Sequence, residues 1–323
     1  MTLVTSWQDQ ARALIRSAVL APSSHNTQPW LFCIRAERVD LFADRTRRLP
    51  VNDPDDRELA ISCGCALMNL RVAAAAQGVP VHVRLCPDPT DRDLLASLSL
   101  GTAPVAPGLE RLFACLADRH TYRKTFDTRA VPGDLVDRIT SAAADEGARL
   151  WTLDAAADRA RAAALVAEAD AIQWANPAWR RELAAWIHAR RRGDGLTVPA
   201  AAVPLAQRVV RGFDMGRRMA AKDHDLAQRS PVLALLATGH DRVRDWLMAG
   251  QAVQRILLEA CHLGLQTSFL NGPLQVPALR AQCGQLADGA FPQILLRIGF
   301  PSDEATAAPR RPIEDVIIQE CTV

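Results

Sequence analysis

Two long stretches of the chain, 58–78 and 245–264, carry apolar side chains at the spacing of buried helices. Their apolar positions recur every three to four residues, which predicts a helix in each. Each stretch has a glycine near its middle, Gly64 or Gly250, and another glycine fourteen residues later. The later glycine is typical of a helix C-cap. Because glycine inside a helix costs about 1 kcal/mol relative to alanine, we expect Gly64 and Gly250 to permit close contact between helices.

Short apolar strands are predicted after these helices and elsewhere. Residues 81–85 follow the first helix, and residues 267–270 follow the second. A helix, a polar loop and a strand also recur at 11–34 and at 135–153. Helices mixed with strands in this order predict an α+β fold. The recurrence predicts that one unit occurs twice in tandem.

The predicted duplication divides the chain into two repeats, residues 1–105 and 106–323. Prolines and glycines at 101–108 disfavour regular structure, so this segment is the expected linker. Residues of about 154–230 form a predicted helical insertion in the second repeat. Eight basic and two acidic side chains lie between 188 and 222. Such a charge run is by default a solvated connection, and the sharper hypothesis is a lid over a ligand site.

The composition is that of an ordinary globular protein. The 323 residues are 49% hydrophobic and 23% charged, with a net charge of +2. This balance gives no argument for a membrane partner, and no nucleic-acid-binding motif accompanies the basic stretch. The N-terminus lacks a signal-peptide pattern, and no apolar run approaches the roughly 18–20 residues of a membrane span. We therefore expect a cytoplasmic protein.

Cysteine and histidine give no argument for a disulfide framework or a metal centre. The eight cysteines include no CxxC pair, so we expect small buried side chains. The seven histidines do not lie near cysteines at the spacing of zinc ligands. No metal site is predicted.

Two separated runs carry the candidate chemistry, PSSHNTQPW at 22–30 and RHTYR at 119–123. The first is a proline-bounded turn whose hydroxyl and amide groups suit the edge of a planar heterocycle. The second offers two guanidinium groups and a hydroxyl, which suit a phosphate. Alone, the first run could be a plain loop and the second an exposed basic turn. Together they favour a ligand that has both a flat ring and a phosphate.

Both runs resemble the nitroreductase family of oxidoreductases, which use flavin mononucleotide (FMN). In that family a PSxxNxQPW segment contacts the flavin, and an RxSxR-like segment holds its phosphate. Here the runs are split between the two repeats, which resembles the Acg-type subgroup over nearly the whole chain. The resemblance implies a nitroreductase-like fold, internally duplicated as a single-chain pseudo-dimer. It also implies that the chain is monomeric and holds one FMN.

The resemblance further implies a set of cofactor-binding residues. They are Pro22, Ser23, Ser24, Asn26, Arg119, His120, Thr121, Arg123, Leu270, Asn271, Gly272, Arg310 and Arg311. Among them, Arg119 and Arg123 are expected to hold the phosphate. Gln28 and Trp30 are expected to fix the loop and anchor the core. His25 is assigned no role.

Two positions depart from the family pattern. Asn271 stands where the family usually has an acidic residue close to the nicotinamide. Ala308 stands where the basic C-terminal tail often has a lysine, so Arg310 and Arg311 remain as its cations. Beside Asn271, the backbone N–H of Gly272 is expected to donate to flavin N5.

We therefore predict an FMN-dependent NAD(P)H oxidoreductase that reduces nitro, quinone or similar conjugated acceptors by two-electron ping-pong chemistry. Its partners would be NAD(P)H and a small-molecule electron acceptor. The predicted site has no obvious acid or nucleophile, which fits an enzyme whose cofactor carries the chemistry. The alternative, favoured by Asn271 and the predicted lid, is an FMN-binding or FMN-sequestering protein of the Acg type with little or no turnover. Flavin destructase chemistry on the same fold stays open, although no residue selects it.

Overall fold

The computed structural model describes residues 6–102, 107–188 and 193–318. Part of the predicted linker and the arginines at 190–192 lie outside the described residues. The helices are α1 (Trp7–Ala18), α2 (Arg57–Ala76), α3 (Cys115–Asp118), α4 (Gly133–Ala144), α5 (Ala156–Ala175), α6 (Pro177–Ala185), α7 (Val203–Gly212), α8 (Gly216–Arg229), α9 (Val243–His262), α10 (Gly272–Gln275) and α11 (Pro277–Gly284). The strands are β1 (Trp30–Ile34), β2 (Arg38–Ala43), β3 (Val81–Leu85), β4 (Leu94–Leu100), β5 (Arg149–Thr152), β6 (Ile187–His188), β7 (Leu196–Thr197), β8 (Val232–Thr238), β9 (Gln266–Phe269) and β10 (Phe291–Gly299). This mixture of elements confirms the predicted α+β class.

The larger strands form two four-stranded antiparallel sheets of the same topology. The first sheet has the order β1-β2-β4-β3, and the second has the order β5-β8-β10-β9. When the strands of each sheet are numbered in chain order, their spatial order in both sheets is first, second, fourth, third. This shared order supports the predicted duplication. A separate parallel pair, β6 and β7, lies between β5 and β8 in the sequence.

The sequence pattern predicted the outer strands β1, β3, β5 and β9 but none of the inner ones. Each inner strand has a neighbouring strand on both sides, whereas each outer strand has one neighbour; the inner strands are β2, β4, β8 and β10. All seven positions of β8, for example, are buried. A short apolar run without alternation cannot be distinguished from a buried helix segment by its periodicity. The register and number of strands therefore emerged only from the structure.

The central helices α2 and α9 cross at the two predicted glycines. A Cβ atom at Gly64 would lie 2.4 Å from a carbonyl oxygen of α9, and one at Gly250 would lie 2.1 Å from a carbonyl oxygen of α2. Only glycine fits at these distances, which confirms the predicted close contact. Gly78 and Gly264 follow the two helices with φ of +66° and +74°. Both are left-handed C-cap positions, as predicted.

One hydrophobic core spans the two predicted repeats. Buried side chains of α1, α2 and the first sheet are in the same cluster as those of α4, α9 and the second sheet. Of the helices that the structure describes, α2 alone is long and apolar enough to cross a membrane by composition. However, 89% of its apolar window is buried within the protein, which is the environment of a core helix.

The cysteines are mostly free thiols with little exposure. Those described as free are Cys63, Cys65, Cys86, Cys115, Cys261 and Cys283. Cys33 in β1 differs from the prediction because it is disulfide-bonded. Within the described ranges, no group of three or more His, Cys, Asp or Glu side chains is placed to hold a metal ion.

The insertion between β5 and β8 is helical, as its alanine-rich sequence predicts. Buried side chains of α5, such as Leu165 and Ala169, pack against β8 and β10. α8 packs along α5. A smaller cluster that includes Trp174, Trp179 and Val210 joins α5, α6 and α7. The insertion therefore covers the second sheet and is not only a solvated connection.

Candidate functional site

One cavity, called the main cavity here, is lined by residues from both predicted repeats. Its volume is about 380 Å³, within the range of small-molecule sites. Twelve of the thirteen predicted binding residues line it, and Arg311 is the exception. The twelve are Pro22, Ser23, Ser24, Asn26, Arg119, His120, Thr121, Arg123, Leu270, Asn271, Gly272 and Arg310. The two sequence runs and the C-terminal tail thus meet in space.

Arg119 and Arg310 meet at one end of the main cavity. Nη2 of each donates to the carbonyl oxygen of Leu20, at 3.2 Å from Arg119 and 2.9 Å from Arg310. The Nε atom of each is buried with no hydrogen-bond partner among the described residues. Burial lowers the pKa of Arg119 to about 10, and burial with the charge of Arg119 lowers the pKa of Arg310 to about 9. Two adjacent guanidinium groups with unused donors form a site for an oxyanion.

The 22–30 loop has an unusual backbone. His25, Asn26 and Gln28 have φ of 51°, 56° and 52°, a region that non-glycine residues rarely adopt. The buried Gln28 side chain holds this conformation, since its Nε2 donates to Gly193 O at 2.9 Å. Trp30 is fully buried in the core. The predicted roles of Gln28 and Trp30 are confirmed, and the strain is typical of a functional loop.

Asn26 ties the loop to two other segments. Its Nδ2 donates to the carbonyl oxygens of Pro309, at 3.1 Å, and Gly195, at 3.3 Å. Its Oδ1 accepts a long contact of 3.5 Å from Nη1 of Arg310. The 22–30 loop, the helical insertion and the C-terminal tail are therefore joined beside the oxyanion site.

A buried carboxylate fixes the hydroxyl of Ser24. Ser24 Oγ donates to Oε2 of Glu58, whose Oε1 accepts from Nε2 of Gln275 at 2.9 Å. Glu58 is 3% exposed and stands in the first turn of α2. Since the Ser24 hydrogen is used in this contact, its oxygen faces other partners only as an acceptor. Glu58 and Gln275 also line the main cavity.

The chain is similar over nearly its whole length to proteins of Mycobacterium tuberculosis. It is 32% identical to "Putative NAD(P)H nitroreductase Rv3131" over 325 residues, which cover 96% of this chain and 91% of that protein. It is 31% identical to "Putative NAD(P)H nitroreductase acg" over 332 residues, which cover 98% and 96%. The chain belongs to the nitroreductase family.

Solved structures of nitroreductase-family proteins overlap part of this chain. A nitroreductase with bound FMN from Desulfitobacterium hafniense has a TM-score of 0.37 and 15% identity, with 65% of this chain and 98% of that chain covered. No protein-family model matches the chain.

Asn271, at the position where the nitroreductase family usually has an acidic residue, has a structural contact. Its Oδ1 accepts a hydrogen bond of 3.0 Å from the backbone N–H of Leu295 in β10. The next residue, Gly272, approaches the insertion closely, because a Cβ there would lie 3.2 Å from Cβ of Ala169. The Asn271 side chain therefore attaches this wall of the main cavity to the second sheet.

Arg311 does not line the main cavity, contrary to the prediction from the nitroreductase tail. Its side chain is buried, and Nη1 donates to Gln28 O at 2.9 Å while Nη2 donates to Asp315 O at 2.7 Å. Nη1 also lies 3.3 Å from Asp44. Of these two arginines, only Arg310 lines the cavity, because the Arg311 side chain is directed to the 22–30 loop and Asp315. The role of Arg311 is to hold the tail against the loop.

Several residues of the cavity wall were not predicted. They are His25, Glu58, Lys222, Asp223, Gln275 and Arg297, among others. His25 lies inside the 22–30 run, where it is assigned no role, and Lys222 lies in the basic stretch of the predicted lid. Glu58 is a carboxylate at the start of an otherwise apolar helix pattern. Asp223, Gln275 and Arg297 are single polar positions in helices and strands, which no local motif distinguishes.

Proposed function

We propose that this nitroreductase-family chain is an FMN-dependent NAD(P)H oxidoreductase. The observation that carries the proposal is the pair Arg119 and Arg310, whose buried Nε atoms have no described partner. An FMN phosphate carries roughly two negative charges and would satisfy both guanidinium groups. When bound, FMN supplies the hydride-transfer chemistry.

Other residues of the main cavity fit the flavin ring. Ser24 offers an oxygen that accepts from a ligand N–H, because its own hydrogen goes to Glu58. The backbone N–H of Gly272 is the proposed donor to the ring. His25 is neutral at neutral pH, since burial lowers its pKa to about 4. Protein groups thus position the ring, and none of them is asked to act as a nucleophile.

The proposed reaction partners are NAD(P)H and a nitro, quinone or similar conjugated acceptor, used in two-electron ping-pong order. The first partner is supported by the names of the two Mycobacterium tuberculosis relatives, each of which includes the words "NAD(P)H nitroreductase". The matching strand orders of the two sheets support one composite site in a monomeric pseudo-dimer. A cytoplasmic location is part of the same proposal.

An FMN-sequestering protein is the second candidate. The observation in its favour is the position of α8, which places Lys222, Asp223 and Leu226 on the wall of the main cavity. A helical lid of this kind would hinder access of a dinucleotide to the flavin. The engaged amide of Asn271, in place of an acidic side chain, points the same way.

Anaerobic stopped-flow reduction distinguishes the two candidates. The FMN-loaded full chain is mixed with NADPH and, separately, with NADH, and the visible absorbance of the flavin is followed. The oxidoreductase proposal expects rapid bleaching by at least one dinucleotide and recovery on adding a nitro or quinone acceptor. Bound flavin that stays oxidised with both dinucleotides would instead support sequestration.

A further inference from the structure

Arg297 is a buried cation in the wall of the main cavity that the FMN phosphate does not explain. It lies on β10 and is 1% exposed. Burial lowers its pKa to about 10, so the guanidinium is charged at neutral pH. Arg297 contacts the carbonyl oxygens of Tyr122 and Lys124, whereas Arg119 and Arg310 converge on Leu20. The two cationic positions are therefore distinct.

The hydrogen bonds of Arg297 are weak for a buried guanidinium. Its Nη atoms lie 3.4–3.5 Å from Tyr122 O, Lys124 O and Ser230 Oγ, longer than a good N–H···O bond. Its Nε has no partner among the described residues. The ring of Phe126 lies 5.0 Å from its Cζ. A planar fork with unused donors in a dry wall suits a carboxylate or phosphate oxygen.

The charges around the main cavity also call for a second anion. Its cationic side chains are Arg119, Arg123, Lys222, Arg297 and Arg310, and its carboxylates are Glu58 and Asp223. This leaves three positive charges in excess. An FMN phosphate would neutralise roughly two of them. Asp223 is the carboxylate whose charge acts on Arg297, so it competes with any anionic ligand there.

We propose that Arg297 anchors an oxyanion carried by the ligand that exchanges electrons with the flavin, so that carboxylate-bearing acceptors are favoured over neutral ones. Asp223 on α8 opposes this preference. The inference rests on the proposed function, because it needs FMN in the same cavity. A phosphate of NADPH has the same chemistry as the acceptor carboxylate and is the other source of the oxyanion.

The test compares para-nitrobenzoate with its neutral analogue para-nitrobenzamide on the FMN-loaded full chain. Binding to the oxidised protein is measured by calorimetry, and kcat and KM are measured with each acceptor. Arg297→Gln should lower the ratio of the affinity for para-nitrobenzoate to the affinity for para-nitrobenzamide by about tenfold or more. In the kinetics, the effect should be a higher KM for para-nitrobenzoate and not a lower kcat. Asp223→Asn should raise the ratio. Arg129→Gln, an exposed arginine outside the cavity, should leave it unchanged.

The KM values for NADPH and NADH are measured on the same variants. An acceptor ratio and an NADPH-to-NADH ratio that both stay unchanged in both variants would overturn the proposal, as would an Arg297→Gln variant whose main loss is affinity for FMN. A shift confined to the NADPH-to-NADH ratio would support the anchor and assign the oxyanion to the dinucleotide. If Arg297→Gln does not fold, Asp223→Asn alone decides the question. The calorimetric arm needs no turnover, so failure of the proposed reductase activity is distinguishable from failure of this inference.

Discussion

His25 differs from an ordinary loop histidine in three respects. Its φ of 51° lies in the left-handed region. Its Nε2 is buried and has no hydrogen-bond partner in the part of the chain that the structure describes. Burial, and then the charge of Arg123, lower its pKa from 6.5 to about 4. Protonation of this imidazole therefore opposes folding.

We expect the wild-type protein to lose stability relative to a His25→Asn variant as the pH falls from 6.5 towards 4. The comparison with the variant is needed because burial raises the pKa of Asp53 and of Asp170 to about 7, so these carboxyls favour the folded chain as the pH falls over the same range. In this window the unfolded chain binds a proton at His25 that the folded chain excludes, so unfolding becomes more favourable. The contribution is complete above the unfolded pKa, and its total loss is about 3 kcal/mol. His25→Asn, which tolerates a left-handed φ, should remove this loss. Urea unfolding of the two FMN-free proteins across this range is the check, and equal pH dependence would refute it.

A site residue could be predicted from the sequence when its neighbours in the sequence also line the site. Residues 22–26 and 119–123 stand in runs whose composition indicates a ligand. Arg297 stands alone in a strand of core residues, so its sequence context indicates only a core. The neutral state of His25 depends on its burial and on the charge of Arg123, which lies far away in the sequence, so no local sequence rule provides it.

At the scale of elements, the crossing of α2 and α9 joins the two predicted repeats. The helices touch backbone to backbone because Gly64 and Gly250 face each other across the crossing. Side chains on both sides of this contact belong to one core cluster. Glu58 lies in the first turn of α2. Because α2 is fixed against α9 by the crossing, Glu58 is held within hydrogen-bond distance of Gln275.

Gly250→Ala should destabilise the fold by at least about 2 kcal/mol, because the added methyl group overlaps a carbonyl oxygen of α2. Gly133→Ala is the matched control, since a Cβ at that helical glycine meets nothing within 4 Å. The control should change the free energy of unfolding by no more than about 0.5 kcal/mol. Chemical unfolding of the three proteins measures both values. Equal stability of the two variants would mean that the helices do not cross at Gly250.

The elements that the sequence predicted are those whose period is unambiguous. α2 and α9 have long helical periods and glycine stops, and both were predicted. The inner strands were not, because β8 has no alternation to distinguish it from a helix. The insertion was predicted as helical, but its packing of Leu165 against the second sheet depends on tertiary contacts.

At the scale of the whole molecule, the main cavity takes its lining from both predicted repeats. The 22–30 loop lies in the range of the predicted first repeat, and the residues at 119–123 and 270–272 lie in the range of the predicted second repeat. The shared core and the crossing of α2 and α9 bring them to one cavity. The split of the motifs in sequence predicted this arrangement, whereas the contribution of α8 required the structure. The proposed order of events, FMN binding followed by hydride uptake, depends on this cavity.

The most direct measurement is the affinity of the FMN-free full chain for FMN and for riboflavin, which lacks the phosphate. The wild-type chain should bind one FMN and prefer it over riboflavin. Arg310→Gln should weaken FMN binding by about tenfold or more and leave riboflavin binding nearly unchanged, while Arg129→Gln changes neither. Absence of FMN binding by the wild-type chain, or an unchanged FMN-to-riboflavin ratio in Arg310→Gln, would contradict the assignment of this cavity.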